Sequence, residues 1–212
     1  PIFMFLQPNS HTFASLDADY SDWHKGRDQF SLWYLEIEDS ACGQYLKDLQ
    51  QQFEPYLYMP NHRQWHITLF VCGFWQAPFH LQHLSDHFHE RQLQQQMQLL
   101  EQLKLSSFEL KLGKVRSFQS ALFVDVIDEQ NILLQLRRCF WPVAKEIDAI
   151  IYCPHVTLGL YRDEFAANPI LEQIEQIPVQ PWTVKFRYLT FGSYQARQLQ
   201  GELSAHYHFH LG

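Results

Sequence analysis

The sequence predicts an α+β fold on three observations. Some stretches alternate apolar and polar side chains with period two, others repeat apolar residues every three to four positions, and the two kinds return as a weak tandem. FSLWYLEI at 30–37 alternates as a first strand. Ser40 can cap the helix that follows, where Tyr45, Leu46, Leu49 and Phe53 keep helical spacing. Pro55 and the Pro60-Asn61 turn end that region, and WHITLFVCGFW at 65–75 reads as a buried strand. From 78 to 105, Leu81, Leu84, Phe88, Leu93, Met97, Leu100 and Leu103 fit one or two amphipathic helices.

The period then changes. FELKLGKV at 108–115 and ALFVDVID at 121–128 alternate like paired strands, and residues 131–147 return to helical spacing, with Pro142 as a break. IIYCPHVTLGLY at 150–161 is a second buried strand, 169–177 a helix, 182–194 one long strand and 207–211 a short one. No repeat occurs at solenoid periods. The expected organisation is a single domain of two halves over residues 1–212, with the lobe boundary near 104–106.

The chain has 212 residues, 46% hydrophobic, 16% aromatic and 18% charged, which favours a compact globule over a disordered chain. A formal charge of −7 argues against duplex DNA as a partner, because such binding draws on many Lys and Arg contacts to phosphate. One phosphate can still be held by a local cleft. Cys42, Cys72, Cys139 and Cys153 show no CxxC spacing and read as reduced, structural residues. The apolar run 1–6 is too short for a membrane span and lacks a basic flank and cleavage pattern, so the expectation is a cytoplasmic monomer with no membrane partner.

Two segments carry chemistry: His66-Ile67-Thr68-Leu69 and His155-Val156-Thr157-Leu158. On a strand, residues i and i+2 share a face, so each segment presents an imidazole beside a hydroxyl. Phosphodiester cleavage needs one group to take a proton, another to give one, and donors for the oxygens where charge accumulates. Twelve histidines and five threonines among 212 residues would meet as His-x-Thr about 0.3 times by chance. One copy is a weak signal; two in matching context are a strong one. His83-Leu84-Ser85 fits the looser pattern but lacks the strand context.

These segments resemble the paired motifs of the 2H phosphoesterase superfamily, in its 2′-5′ RNA ligase-like and 2′,3′-cyclic phosphodiesterase branch. HITLFVCG at 66–73 and PHVTLG at 154–159 carry the resemblance, and Arg27 and Phe30 on the first strand suit it, so it covers residues 27–194. It implies a bilobal α+β fold, with two antiparallel sheets facing a central cleft and helices outside. It also implies a metal-independent hydrolase, free of cofactors, that opens 2′,3′-cyclic phosphate or 2′-5′-type phosphodiester bonds of RNA ends or nucleotides. His66, Thr68, His155 and Thr157 are then the catalytic set. His66 protonates the leaving oxygen and His155 activates water, an order the residues themselves leave open. Relatives often carry an Arg soon after the second motif, where this chain has Leu160; the nearest is Arg162, a candidate substrate-binding residue together with Tyr161.

Competing readings remain at this level. The same cleft could sequester an RNA end or nucleotide without turnover. His80, His83 and His87 would share a helical face, and His206, His208 and His210 a strand face, either of which could hold a metal, although solvated polarity accounts for both. Trp75, Phe118 and Phe123 are aromatic candidates for the cleft wall.

Overall fold

The computed structural model describes residues 4–15, 24–75, 85–146 and 152–212. These form β1 (Gln29–Glu36), α1 (Ser40–Gln52), β2 (His66–Trp75), β3 (His87–Phe88), α2 (Glu90–Leu103), β4 (Phe108–Ser117), β5 (Ala121–Ile127), α3 (Ile132–Phe140), β6 (His155–Leu160), α4 (Ala167–Glu175), β7 (Thr183–Phe186), β8 (Tyr188–Gln195) and β9 (Leu203–His210). The strands join in the order β7-β4-β5-β6-β2-β1-β8-β9, every neighbour antiparallel, with β3 beside β2 in parallel.

The α+β class holds, and the two expected sheets meet as one curled sheet. The join between β2 and β6 is a single register pair, Ile67 with Val156, both fully buried. The ladder between β1 and β2 slips by one residue around Leu69 and again around Cys72. Such bulges bend a strand and increase its twist, so β2 follows β1 along its length and touches β6 only at this point.

All four helices described cover the same face. Leu46 and Leu49 of α1, Leu93 and Leu100 of α2, Leu133, Leu136 and Phe140 of α3, and Ile170 of α4 share one apolar cluster with Trp33, Leu35, Ile67, Leu69, Val156 and Leu158. Trp33 stacks on Phe140 at 5.4 Å, and its indole N–H donates to Gln96 at 2.8 Å, so the polar end of a buried Trp is satisfied. Among the described residues, the opposite, open face carries small clusters, including Phe30–Phe74–Ala196 and Leu32–Tyr34–Leu203.

Several elements differ from the sequence expectation. Asp39, not Ser40, caps α1, its carboxylate accepting from Cys42 N at 2.7 Å. The helical pattern at 78–105 resolves into α2 at 90–103, preceded by the two-residue strand β3; residues 76–84 lie outside the described residues. The apparent long strand at 182–194 is two strands broken at Arg187, because β7 pairs with β4 at one end of the sheet and β8 with β1 and β9 at the other. The four cysteines are free thiols, Cys42 and Cys72 buried. Among the described residues, no helix is long and apolar enough to cross a membrane.

Candidate active site

The register of the four central strands brings the two motifs together. With Ile67 opposite Val156 in an antiparallel pair, His66 lies across from Thr157 and Thr68 across from His155, all on the open face. The outer strands extend both rows. Glu36 is the register partner of His66 and Tyr34 of Thr68; Asp125 is the partner of His155 and Phe123 of Thr157. One row therefore reads Glu36–His66–Thr157–Phe123, and the next, reversed, reads Asp125–His155–Thr68–Tyr34. The site has a local pseudo-twofold axis through the Ile67–Val156 pair.

The pseudo-symmetry reaches the backbone. The β5–β6 ladder slips at Leu158, as the β1–β2 ladder slips at Leu69, so each His-x-Thr-Leu segment ends in a bulge at its Leu. A bulge withdraws carbonyls from the ladder, and buried carbonyls need donors. On β2, Arg137 donates to Leu69 O at 2.8 Å and Tyr152 donates its hydroxyl proton to Thr68 O at 2.9 Å. Arg137 is held by Glu146 at 2.6 Å and lies 3.8 Å over the Tyr152 ring. On β6, the Gln50 amide donates to Leu158 O at 2.5 Å.

Both imidazoles are oriented by one device. His66 Nδ1 sits 2.8 Å from Gln64 O, and His155 Nδ1 sits 2.7 Å from Cys153 O, each carbonyl two residues upstream. A carbonyl oxygen can only accept, so Nδ1 carries hydrogen in both rings and Nε2 is the nitrogen that gains or loses a proton. Tyr34 stands edge-on to His66 at 5.8 Å; Phe123 and Phe118 flank His155 at 5.1 and 5.3 Å. Among the described residues, neither Thr68 nor Thr157 spends its hydroxyl on a protein partner, so both remain donors for a ligand.

Burial lowers the affinity of His66 for a proton, with Arg63 and His155 acting in the same sense against the Gln64 carbonyl; its pKa falls to about 3. Burial also lowers that of His155, but here the Cys153 carbonyl and Asp125 push back. Two neutral imidazoles, each with a lone pair on Nε2, are ready to receive an anionic phosphate. The negative charge of such a ligand favours protonation of one of them.

The structure corrects two readings of face. Tyr161 does not line the open face: the extra residue at Leu158 reverses the alternation, and Tyr161 is 0% exposed, its hydroxyl 2.6 Å from Ser117 Oγ. It packs within the main core. Arg162 is exposed just beyond β6, its guanidinium 5.9 Å from the Phe165 ring, without a hydrogen bond or ion pair of its side chain among the described residues. His206, His208 and His210 do not share a face, because β9 bulges at His206. His206 turns to Ser193 Oγ at 2.7 Å and Trp75, whereas His208 meets Thr190 Oγ1 at 3.1 Å on the open face.

The helix expected to carry His87 is also replaced by a strand, β3, while His80 and His83 lie outside the described residues. Among the described residues, no group of three or more His, Cys, Asp or Glu is arranged to hold a metal. Of the aromatic candidates, Phe118 and Phe123 border His155 as buried wall residues, and Trp75 packs with Phe88 and Phe191 in the core.

Sequence reasoning missed Tyr34, Glu36, Arg63 and Asp125. For Asp125 there was a signal: it is the lone charge in the apolar strand ALFVDVI, at a position whose partner on the neighbouring strand is a motif histidine.

The sequence model of the 2′-5′ RNA ligase superfamily matches residues 37–210. No curated protein matches the sequence. Among solved structures, Escherichia coli LigT complexed with 3′-AMP is similar at 12% identity and a TM-score of 0.57, over 87% of this chain and 98% of that one. A Thermus thermophilus protein is similar at 15% identity and a TM-score of 0.58, over 86% and 97%. A protein of Agrobacterium tumefaciens strain C58 gives 15% and 0.51, over 84% and 85%. At these identities the likeness is one of fold.

Proposed function

Because the chain belongs to the 2′-5′ RNA ligase superfamily of 2H phosphoesterases, a membership that supports a phosphoesterase-type activity, we propose that it is a metal-independent phosphodiesterase acting on RNA ends or nucleotides. Its substrate is a 2′,3′-cyclic phosphate or a 2′-5′-type bond. The observation that carries this reading is the antiparallel register at Ile67–Val156, which sets two imidazoles and two hydroxyls in diagonal pairs on one face.

In this reading the phosphate sits between the diagonals. One neutral imidazole takes a proton from water at Nε2 as the water oxygen bonds to phosphorus. The bond from phosphorus to one ribose oxygen breaks, and the other imidazole, protonated, delivers its Nε2 proton to that oxygen. A cyclic diester and one water become one phosphomonoester, and the histidines have exchanged protonation states. Thr68 and Thr157 donate to the non-bridging oxygens, where charge builds. Arg162, exposed at the end of β6, is the proposed contact to the rest of the substrate. Run in the same direction with a 5′-ribose hydroxyl in place of water, the pair would join ends through a 2′-5′ bond, the 3′ oxygen leaving phosphorus with the proton of the acid; the reverse of that step would cleave a 2′-5′ bond to a cyclic phosphate.

The chain is read as one bilobal, cytoplasmic domain, monomeric, with the lobe boundary near 104–106. The test is a panel of 2′,3′-cyclic mononucleotides and 2′-5′ and 3′-5′ oligonucleotides assayed in EDTA. Phosphomonoester release from a cyclic or 2′-5′ substrate is expected. Saturable binding of the whole panel with no product would replace this reading with that of a nucleotide-binding module.

A further inference from the structure

Ile67 and Val156 are the single register pair between the two motif strands, so the placement of each imidazole depends on what holds the chain just outside its strand. Both rings lean on the carbonyl of a residue beyond the ladder. The β1–β2 pairing ends at Glu36 and His66, with Ile37 N donating to Trp65 O at 2.8 Å, and Gln64 comes before that bond. The β5–β6 pairing ends at Asp125 and His155, with Val126 N donating to Pro154 O at 3.0 Å, and Cys153 comes before that one. The halves match to this point and differ in the side chain of the orienting residue: a half-buried thiol at Cys153, an amide at Gln64.

The Gln64 amide grips β9. It donates to Leu203 O at 3.0 Å and accepts from Leu203 N at 2.8 Å, the two-bond pattern of a neighbouring strand. The residues before it continue the contact, Arg63 Nε donating to Gly201 O at 2.9 Å and His62 N to Gln200 O at 3.1 Å. The chain leading into β2 is thereby tied to the start of β9, three strands away, and this half of the sheet closes on itself at that end. Gln200 carries the tie to the other half: its amide donates to Tyr58 O at 2.8 Å and accepts from Leu160 N, at the end of β6, at 2.9 Å. It is buried at φ 53°, a left-handed conformation that a residue other than glycine keeps only where its surroundings hold it.

Resting on the paired-histidine reading, we infer that Gln64 is a positioning residue for His66. By clamping the backbone of Leu203 it makes the β8–β9 turn the support of the carbonyl that holds Nδ1–H, and so leaves Nε2 facing the substrate. An imidazole whose Nδ1 acceptor shifts can rotate or take the other tautomer, and its proton then sits on the wrong nitrogen for exchange with water or the ribose oxygen. Gln64→Leu keeps the bulk of the side chain and removes the amide. Ring-nitrogen NMR of the substrate-free protein near pH 7, where burial keeps His66 neutral, is expected to show the Nδ1–H tautomer in the parent and a mixture in the variant, with His155 unchanged. On a substrate the parent cleaves, kcat should fall about tenfold while KM changes less than about twofold, because the displaced group is needed for turnover more than for binding.

Gln200→Gly is the second variant. It relieves the left-handed backbone, removes the tie to β6 and keeps the backbone bond to His62, so the protein should fold, with the His66 tautomer and kcat moved the same way by a smaller amount. Asp39→Ala, which removes the cap of α1, controls for general loosening: it should lower the melting temperature and leave both readouts in place. An unaltered His66 tautomer in both Gln64→Leu and Gln200→Gly, or an equal change in Asp39→Ala, overturns the inference. A tautomer shift in Gln64→Leu when the parent turns over no cyclic or 2′-5′ substrate would leave the positioning role standing and remove the enzymatic reading.

Discussion

Around His66 the outer strand offers Tyr34 and Glu36; around His155 it offers Phe123 and Asp125, at matching register positions. Both half-sites fix Nδ1 on the carbonyl two residues upstream, both bulge at the Leu after the Thr, and both satisfy that Leu carbonyl from below with a side chain. They part in what surrounds the common backbone. The His66 half is anchored by a buried ion pair and shadowed by a cation, the His155 half by a neutral amide and shadowed by a carboxylate. A proton-transfer pair needs the same geometry twice and unlike proton affinities, and the two halves divide along that line.

The comparison breaks first at the histidines. His66→Ala and His155→Ala should each lower turnover by about 10²–10⁴-fold in correctly folded protein, because positioned acid–base groups contribute at that scale. A steady-state assay on a substrate the parent cleaves decides it. Near-parental turnover in either variant would mean that the two halves do not work as a pair.

The anchors should differ most in stability. Arg137→Met leaves Glu146 buried without its guanidinium and Leu69 O without its donor, at a cost of about 3–5 kcal/mol. Gln50→Leu removes one of two donors from the Leu158 carbonyl, which keeps the Asn61 amide at 3.4 Å, and should cost about 1 kcal/mol. Urea unfolding of the two variants sets these side by side; equal losses would erase the distinction between an ionic and a neutral anchor.

The threonines sharpen the symmetric side. Thr68→Val and Thr157→Val keep a strand-compatible shape and remove a hydroxyl with no protein partner among the described residues, so kcat should fall about 10–100-fold in each with little loss of stability. Unchanged kinetics in both would assign the phosphate oxygens to other donors.

Acid stability probes the buried imidazoles. A folded-state pKa near 3 for His66 lies below the unfolded value of about 6.5. The folded state therefore binds this proton less well than the unfolded state. Stability is full above about pH 6.5 and is lost as pH falls towards 3, by about 4 kcal/mol from this group. His66→Gln should flatten that part of the stability profile, which melting temperatures between pH 7 and pH 4 will show. An equally steep decline in the variant would place the acid sensitivity elsewhere.

The α+β class and the two motif strands were legible in the sequence because alternation and His-x-Thr spacing are local properties. The bulges were not. One extra residue at Leu158 turns Tyr161 from the open face into the core, and one at His206 separates it from His208 and His210, yet neither changes the residue pattern that counting by twos relies on. The split at Arg187 was hidden for a different reason: β7 and β8 are separated by one residue, and their core positions shift from Val184 and Phe186 to Leu189 and Phe191 only because their partners lie far away in the chain. Arg137, Gln50 and Arg63 could not be assigned to the site because their contacts are non-local or depend on loop geometry. Asp125 was nearer to view, since an isolated carboxylate in an apolar strand has to answer to something on its own face.

In the proposed function, two histidines of unlike proton affinity cleave a cyclic phosphodiester without a metal. The direct measurement is kcat/KM on a 2′,3′-cyclic mononucleotide from about pH 3 to 9, with and without a chelator. The expected result is a bell whose two limbs belong to the histidine pair, both on the acid side of neutrality because burial lowers both imidazoles, and which EDTA leaves unchanged. Activity lost on chelation and restored by added zinc would contradict it, because a metal-activated water has no comparable substitute once the metal is removed.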